Sequence, residues 1–233
     1  MPRANLYHRF SQSPIVTIIV GQGEVSKTFS VYEDLLTAYS AFFRFCLGSG
    51  FKEAGTKRVE LPDDKAEDFA AVVNWLYRES KVVKYDASRT ATDRITSAYK
   101  LADKLIMPQL KNHLMDLLRE LWKEQNLYHA LESIEKLSLF NVAGDKLYDF
   151  TLKMYVWILS TQPRTIAQKA TAEAGTFANA ALMQDLFTMV REYNSQKWDD
   201  PRFVVGCHWH DHSDGSKCEA VVAPGKARVG RKV

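Results

Sequence analysis

Six consecutive residues near the front of the chain, Ile15-Val16-Thr17-Ile18-Ile19-Val20, constrain the fold most. All are β-branched, which disfavours a helix and suits a pleated surface, and the run is too short for a helix, so it reads as a buried strand. Gly21-Gln22-Gly23 follows, and then Lys27 to Val31 (KTFSV) alternates as a second strand. The glycines therefore make a hairpin turn, since a phosphate-binding loop would open a helix instead. Arg58 to Leu61 (RVEL) is a third short strand closed by Pro62. Every later pattern is helical. The order strand, strand, helix pair, strand, helix and then a long helical run is not the alternation of a doubly wound parallel sheet, and it points to the α+β class.

Between the second and third strands, Leu35, Leu36, Tyr39, Phe42, Phe43, Cys46 and Leu47 form a wide apolar helical stripe within Glu33 to Leu47. Ser40 lies midway and can cap a new helix, so the stretch reads as one helix or two short ones. Gly48-Ser49-Gly50 ends it. After Pro62, Asp63 or Asp64 is expected to cap a helix carrying Phe69, Val72, Val73 and Leu76. A polar loop is expected near Asp86 to Thr92. Beyond it come one helix with Ile95, Ala98, Leu101, Ala102 and Leu105, and another that starts at Pro108 and carries Leu110, Leu114, Leu117, Leu118, Leu121 and Trp122. Three more helical patterns follow, Leu127/Leu131/Ile134, Leu147/Phe150/Met154/Ile158 and Phe177/Leu182/Leu186/Met189/Tyr193. Periodicity ends near Gln196.

The 233 residues, 46% of them apolar, suffice for one or two domains with a real core. Glycine and proline are at ordinary levels, which excludes fibrous and wholly disordered classes. No apolar run approaches the ~20 residues that span a bilayer, and the first residues lead into no signal-peptide core. A cytoplasmic or nuclear location is expected. The net charge of +3 comes from the end of the chain, where Lys226, Arg228, Arg231 and Lys232 are accompanied by no acid in the last ten residues. Without those four the balance is 27 basic against 28 acidic side chains, or −1. A neutral body of this kind is not expected to bind nucleic acid. The tail itself reads as a solvated terminus or as an import or acid-seeking segment.

Several ordered segments together resemble a BTB/POZ domain of the fungal type. They are Val16 to Gly21, Phe29-Ser30-Val31, Leu35-Leu36 with Ser40-Ala41-Phe42-Phe43, Gly50-Phe51-Lys52-Glu53-Ala54 and Val59 to Asp64. Phe69 with Val73-Asn74-Trp75-Leu76-Tyr77, and Leu101 to Lys104 with Met107-Pro108 and Leu110, complete the set over roughly residues 15–125. One departure is that Tyr32-Glu33 stands where the family usually has a His-Lys pair, although the following Asp34 is kept. The resemblance implies a small sheet flanked by helices, no catalytic residues, and a role in gripping other proteins. It implies homodimerisation through the first helix and N-terminal segment, and for many members recruitment of a cullin ubiquitin ligase. The hydrophobic-x-Glu pattern of that recruiting loop falls on Phe51-Lys52-Glu53. There Phe51 would fill an apolar pocket and Glu53 would fix orientation, the alternative being a core phenylalanine beside a solvated acid. The expected organisation is a leader at 1–13, the BTB/POZ domain at 14–125, a helical extension at 126–195, and a Cys/His segment with a basic tail at 196–233.

Three cysteines and no secretory signal argue against a disulfide scaffold. Cys46, on an apolar stripe, reads as buried packing. Cys207 and Cys218 lie in the stretch Cys207-His208-Trp209-His210-Asp211-His212-Ser213-Asp214-Gly215-Ser216-Lys217-Cys218. Two thiolates and two imidazoles make the donor set that tetrahedral zinc prefers, with Cys207, His210, His212 and Cys218 as ligands and His208 in reserve. An ion worth ~10 kcal/mol or more would order a segment too small for its own core. Four protein ligands would leave no open position, making such a site structural. The spacing matches no familiar finger, and an extended chain sends Cys207 to the side opposite His210 and His212, so the backbone has to bend. An unliganded hairpin and a Cys207–Cys218 disulfide are the alternatives.

No nucleophile elbow, zinc-protease, Walker or dinucleotide motif is present. His8 lies in the leader, His113 and His129 sit among helical residues, and Asp63, Asp64, Glu67 and Asp68 read as charges at a helix N-terminus. The sequence thus leads to a non-catalytic interaction module acting as adaptor or scaffold. The alternatives are a cullin substrate adaptor and a transcription regulator whose tail touches nucleic acid.

Overall fold

In the computed structural model, Ile15–Val20 forms β1, the middle strand of a three-stranded sheet ordered β2-β1-β3. The structure describes residues 12–48, 50–78, 89–124, 144–161 and 180–218. β2 (Lys27–Tyr32) runs antiparallel to β1 with Val16 opposite Val31 and Ile18 opposite Phe29. β3 (Arg58–Leu61) runs parallel to β1 with Ile18 opposite Val59 and Val20 opposite Leu61. The strand period of two puts Val16, Ile18 and Val20 on one face, where all three are fully buried. Val31, Val59 and Leu61 are also buried.

Two short helices close over the sheet, α1 (Glu33–Tyr39) and α2 (Ala41–Cys46), so the apolar stripe is broken at Ser40. The cause is visible at that residue. Ser40 has extended backbone, and its Oγ accepts the Phe43 N–H at 3.1 Å, capping α2. The same hydroxyl donates to the Leu105 carbonyl at 2.6 Å, while Ala41 N–H reaches the Ile106 carbonyl. Leu35, Leu36 and Phe43 turn inward. A one-turn helix, α3 (Lys52–Thr56), leads into β3. α4 (Ala66–Arg78) brings Phe69 edge-on to Phe29 and Phe43, with Val72 and Leu76 buried beside it. The helix starts at Ala66, so neither Asp63 nor Asp64 is its cap; Asp64 instead pairs with Lys104 at 2.6 Å.

α5 (Arg89–Lys104) and α6 (Pro108–Glu124) pack as an antiparallel pair, with Pro108 in the first helical position as expected. The expected polar loop is shorter than its residues suggest, because Arg89 to Thr92 already belong to α5. Thr92 is buried, and its hydroxyl accepts the Trp122 indole N–H at 3.3 Å, giving a polar residue a partner that only the folded chain supplies.

These elements belong to one of two compact units, Met1–Gln125 and Asn126–Val233. In the second, Asp145 caps α7 (Lys146–Thr161) by accepting the N–H groups of Leu147 and Tyr148. α8 (Ala180–Gln196) packs against α7, with its Leu182, Leu186 and Tyr193 buried, and Asp185 accepts a 2.7 Å hydrogen bond from the Tyr148 hydroxyl. Burial and that carboxylate hold the Tyr148 hydroxyl protonated well above the usual tyrosine range. A short 3-10 turn, Pro201–Phe203, also packs on α7. The pattern Leu127/Leu131/Ile134, Phe177, His8, His129 and the basic residues of the tail lie outside the described residues.

Ser40→Ala removes one buried donor and one cap acceptor together, and should destabilise the N-terminal unit by about 2–3 kcal/mol. Urea unfolding would measure it, and a loss below about 0.5 kcal/mol would show that the hydroxyl does not join the helical pair to the sheet layer.

Candidate functional site

Phe51 and Glu53, the candidate partner-binding residues, sit at the start of α3. Phe51 is the residue before the first turn and has extended backbone. Its side chain stays 45% exposed. It is therefore no core residue, and its ring rests on Phe45, with centroids 4.9 Å apart, while Phe45 is itself 70% exposed. Glu53 lies in the first turn of α3, and its main-chain carbonyl accepts the N–H of Lys57, which ends the helix in left-handed backbone. Two aromatic rings in mutual contact are thus left partly in water at the start of α3.

Phe45 was not among the residues expected to matter. Its signal was available, because it falls off the apolar stripe of α2, and an aromatic on the solvent side of an amphipathic helix has no core to fill. Cys46, expected to be packed inside, is half-buried at the end of α2. Burial raises its thiol pKa, and the nearby Glu53 charge adds to the rise. Glu33, in the departure noted above, forms an ion pair with Lys57 at 2.8 Å, and the Asp34 N–H donates to the Ser13 hydroxyl.

Residues 11–121 match the family model of the BTB/POZ domain. This stretch is a BTB/POZ domain. The match stops short of the second unit and carries no distinction of fungal type. BTB/POZ domains are protein–protein interaction modules, generally non-catalytic, and homodimers are among the assemblies they form. Comparison with curated proteins found no match. No described helix is long and apolar enough to cross a membrane.

Beyond the BTB/POZ domain, in the second unit, Cys207, His210, His212 and Cys218 converge. One ligand atom from each lies within 4.8 Å of the others, the one group of three or more such side chains among the described residues. The required bend is made locally. Gly206 has φ +82°, and the His210 N–H closes a turn on the Cys207 carbonyl at 3.1 Å. Asp211 and Asp214 each accept the N–H two residues on, Gly215 N–H bonds the His212 carbonyl, and Gly215 has φ +74°, bringing Cys218 back. Nδ1 of His210 lies 2.8 Å from Cys218 Sγ, and Nε2 of His212 lies 3.5 Å from it. Tetrahedral zinc, with bonds of ~2.3 Å to sulfur and ~2.0 Å to nitrogen, separates its donors by roughly 3.3–3.8 Å. The group fits that spacing with side-chain shifts of about an ångström. His208, the reserve ligand, is exposed and outside the group, its ring set edge-on to Trp209. Cys207 and Cys218 are not joined in a disulfide.

Trp209 is the residue in this segment that the sequence reading did not single out. It is 2% exposed, stacks edge-on to Phe150 at 5.0 Å, and donates its indole N–H to the Pro201 carbonyl. A large apolar residue flanked by candidate ligands was the available signal.

His113 is half-buried in α6 with Nε2 enclosed and unbonded, and burial lowers its pKa. The folded domain therefore holds it neutral, while the unfolded chain takes a proton near pH 6.5. A depressed folded pKa contributes stability that is present above the unfolded pKa and lost as pH falls. The urea midpoint of the first unit should drop between pH 7.5 and 5.5, and His113→Gln should narrow that drop; an unchanged drop would assign the acid sensitivity elsewhere.

Proposed function

We propose that this chain is a non-catalytic adaptor or scaffold that acts by holding other proteins through its BTB/POZ domain, as a homodimer. The observation that carries the reading is the match over residues 11–121 together with a Phe45–Phe51 pair that stays substantially exposed. Light scattering with size-exclusion chromatography tests the dimer: a monomer at micromolar concentration would remove that part.

The finer reading is a substrate adaptor of a cullin-based ubiquitin ligase, supported by the exposure of Phe51 and the position of Glu53 two residues later on α3. Phe51 enters a partner pocket, and Glu53 pairs with donors at its rim. Loss of an aromatic anchor of this type costs ~2 kcal/mol or more. Phe51→Ala should weaken binding to a purified cullin N-terminal domain by about 30-fold, with Glu53→Ala adding a smaller loss. Calorimetry that detects no binding by the unmodified protein leaves a scaffold without a ligase.

A second reading concerns the Cys/His group. We infer that Cys207, His210, His212 and Cys218 hold a structural zinc ion, supported by convergence of four donors of the right chemistry within 4.8 Å. Purified protein should carry one zinc per chain by elemental analysis, and Cys207→Ser should lose it. The fungal subtype rests on the sequence resemblance, and the transcription-regulator alternative rests on the Cys/His segment or on a basic tail outside the described residues.

A further inference from the structure

The chain from Trp198 to Trp209 lies along one side of α7. Phe150, Lys153 and Trp157 recur at helical spacing, three and four residues apart, and so share that side. Trp209 meets Phe150 at 5.0 Å. Lys153 Nζ lies over the Trp198 ring at 5.3 Å and over the Trp209 ring at 5.9 Å, held between two indoles. Arg202, bonded to both carboxylate oxygens of Asp200, lies over the Trp157 ring at 5.8 Å. Tyr193, at the end of α8, packs edge-on to Trp198 at 4.9 Å. The chain therefore forms a strap across α7, with its beginning held by α8 and its end by the Cys/His group.

We propose that zinc held by Cys207, His210, His212 and Cys218 is the lock of this strap: metal occupancy decides whether Trp209 stays seated against Phe150. The proposal rests on the zinc reading above and adds what the ion controls. Trp209 is enclosed by ligands, with Cys207 two residues before it and His210 immediately after it, and the Cys207–His210 turn is closed by a main-chain hydrogen bond. An ion that fixes those two side chains fixes the backbone carrying the indole. Between Trp209 and Cys218 the described side chains are polar and none besides His210 is buried, so beyond the indole itself this end buries no apolar side chain. Gly206 and Gly215, both in left-handed backbone, leave the turns free to open once the ligands are released. Loss of the metal would then expose Trp209 and one side of α7, and every member of the strap lies in the second unit.

The test uses the full-length chain. Zinc content is measured first, and EDTA is then added while tryptophan emission and amide hydrogen exchange are followed. Emission should shift to the red on chelation and return with added zinc. Exchange in peptides covering 146–161 and 198–218 should rise about tenfold or more, while peptides from 15–78 stay unchanged. Trp209→Phe should keep one zinc per chain yet lose most of the emission shift, and Cys46→Ser should behave as the unmodified protein. Bound zinc whose removal leaves emission and exchange as they were would overturn the lock and leave the metal site standing. Protein with no zinc, and no uptake of added zinc, would overturn both.

Discussion

The pairing of β1 on both edges is the constraint from which the N-terminal unit follows. A β-branched run buried among helices leaves each main-chain N–H and carbonyl in need of a partner. β2 supplies partners on one side and β3 on the other. Because the side-chain period is two, this single register delivers Val16, Ile18 and Val20 to one surface, and α1, α2 and α4 pack where that surface is. A slip of one residue would turn those three outward. Ser40 extends the same logic to the next layer: its hydroxyl satisfies both the start of α2 and the turn between α5 and α6.

The two candidate sites work by different physics. At Phe45 and Phe51 the fold leaves apolar area uncovered, so under the proposed function the stabilisation would come from a partner that removes the rings from water. At the Cys/His group the donors are gathered by turns within twelve residues, and the stabilisation would come from an ion replacing a core that the segment lacks. Lys153 and Arg202 make the connection between that segment and α7 partly electrostatic, since each cation sits over aromatic rings.

Much of the first unit was readable because its signals are local. The strands at Ile15–Val20, Lys27 to Val31 and Arg58–Leu61 and the helix start at Pro108 each follow from residue type within a few positions, and the structure chose the two-helix reading of the stretch around Ser40. Donor chemistry named Cys207, His210, His212 and Cys218, with His208 in reserve, and the structure brings the first four together. Features with a distant partner were missed: the early start of α5, where Thr92 meets Trp122, and the role of Asp64, which meets Lys104.

α7 shows the division most clearly. Its sequence carries one apolar pattern, Leu147/Phe150/Met154/Ile158, enough to make it a helix with a buried side. In the structure Thr151, Leu152, Tyr155 and Val156 are buried as well. Alternation and helical periodicity determined the elements and the kinds of side chain available, because they depend on the geometry of one segment. Which rings remained in water and which cation lay between which indoles were decided by tertiary structure, because each needs groups whose separation in the chain says nothing about their separation in space.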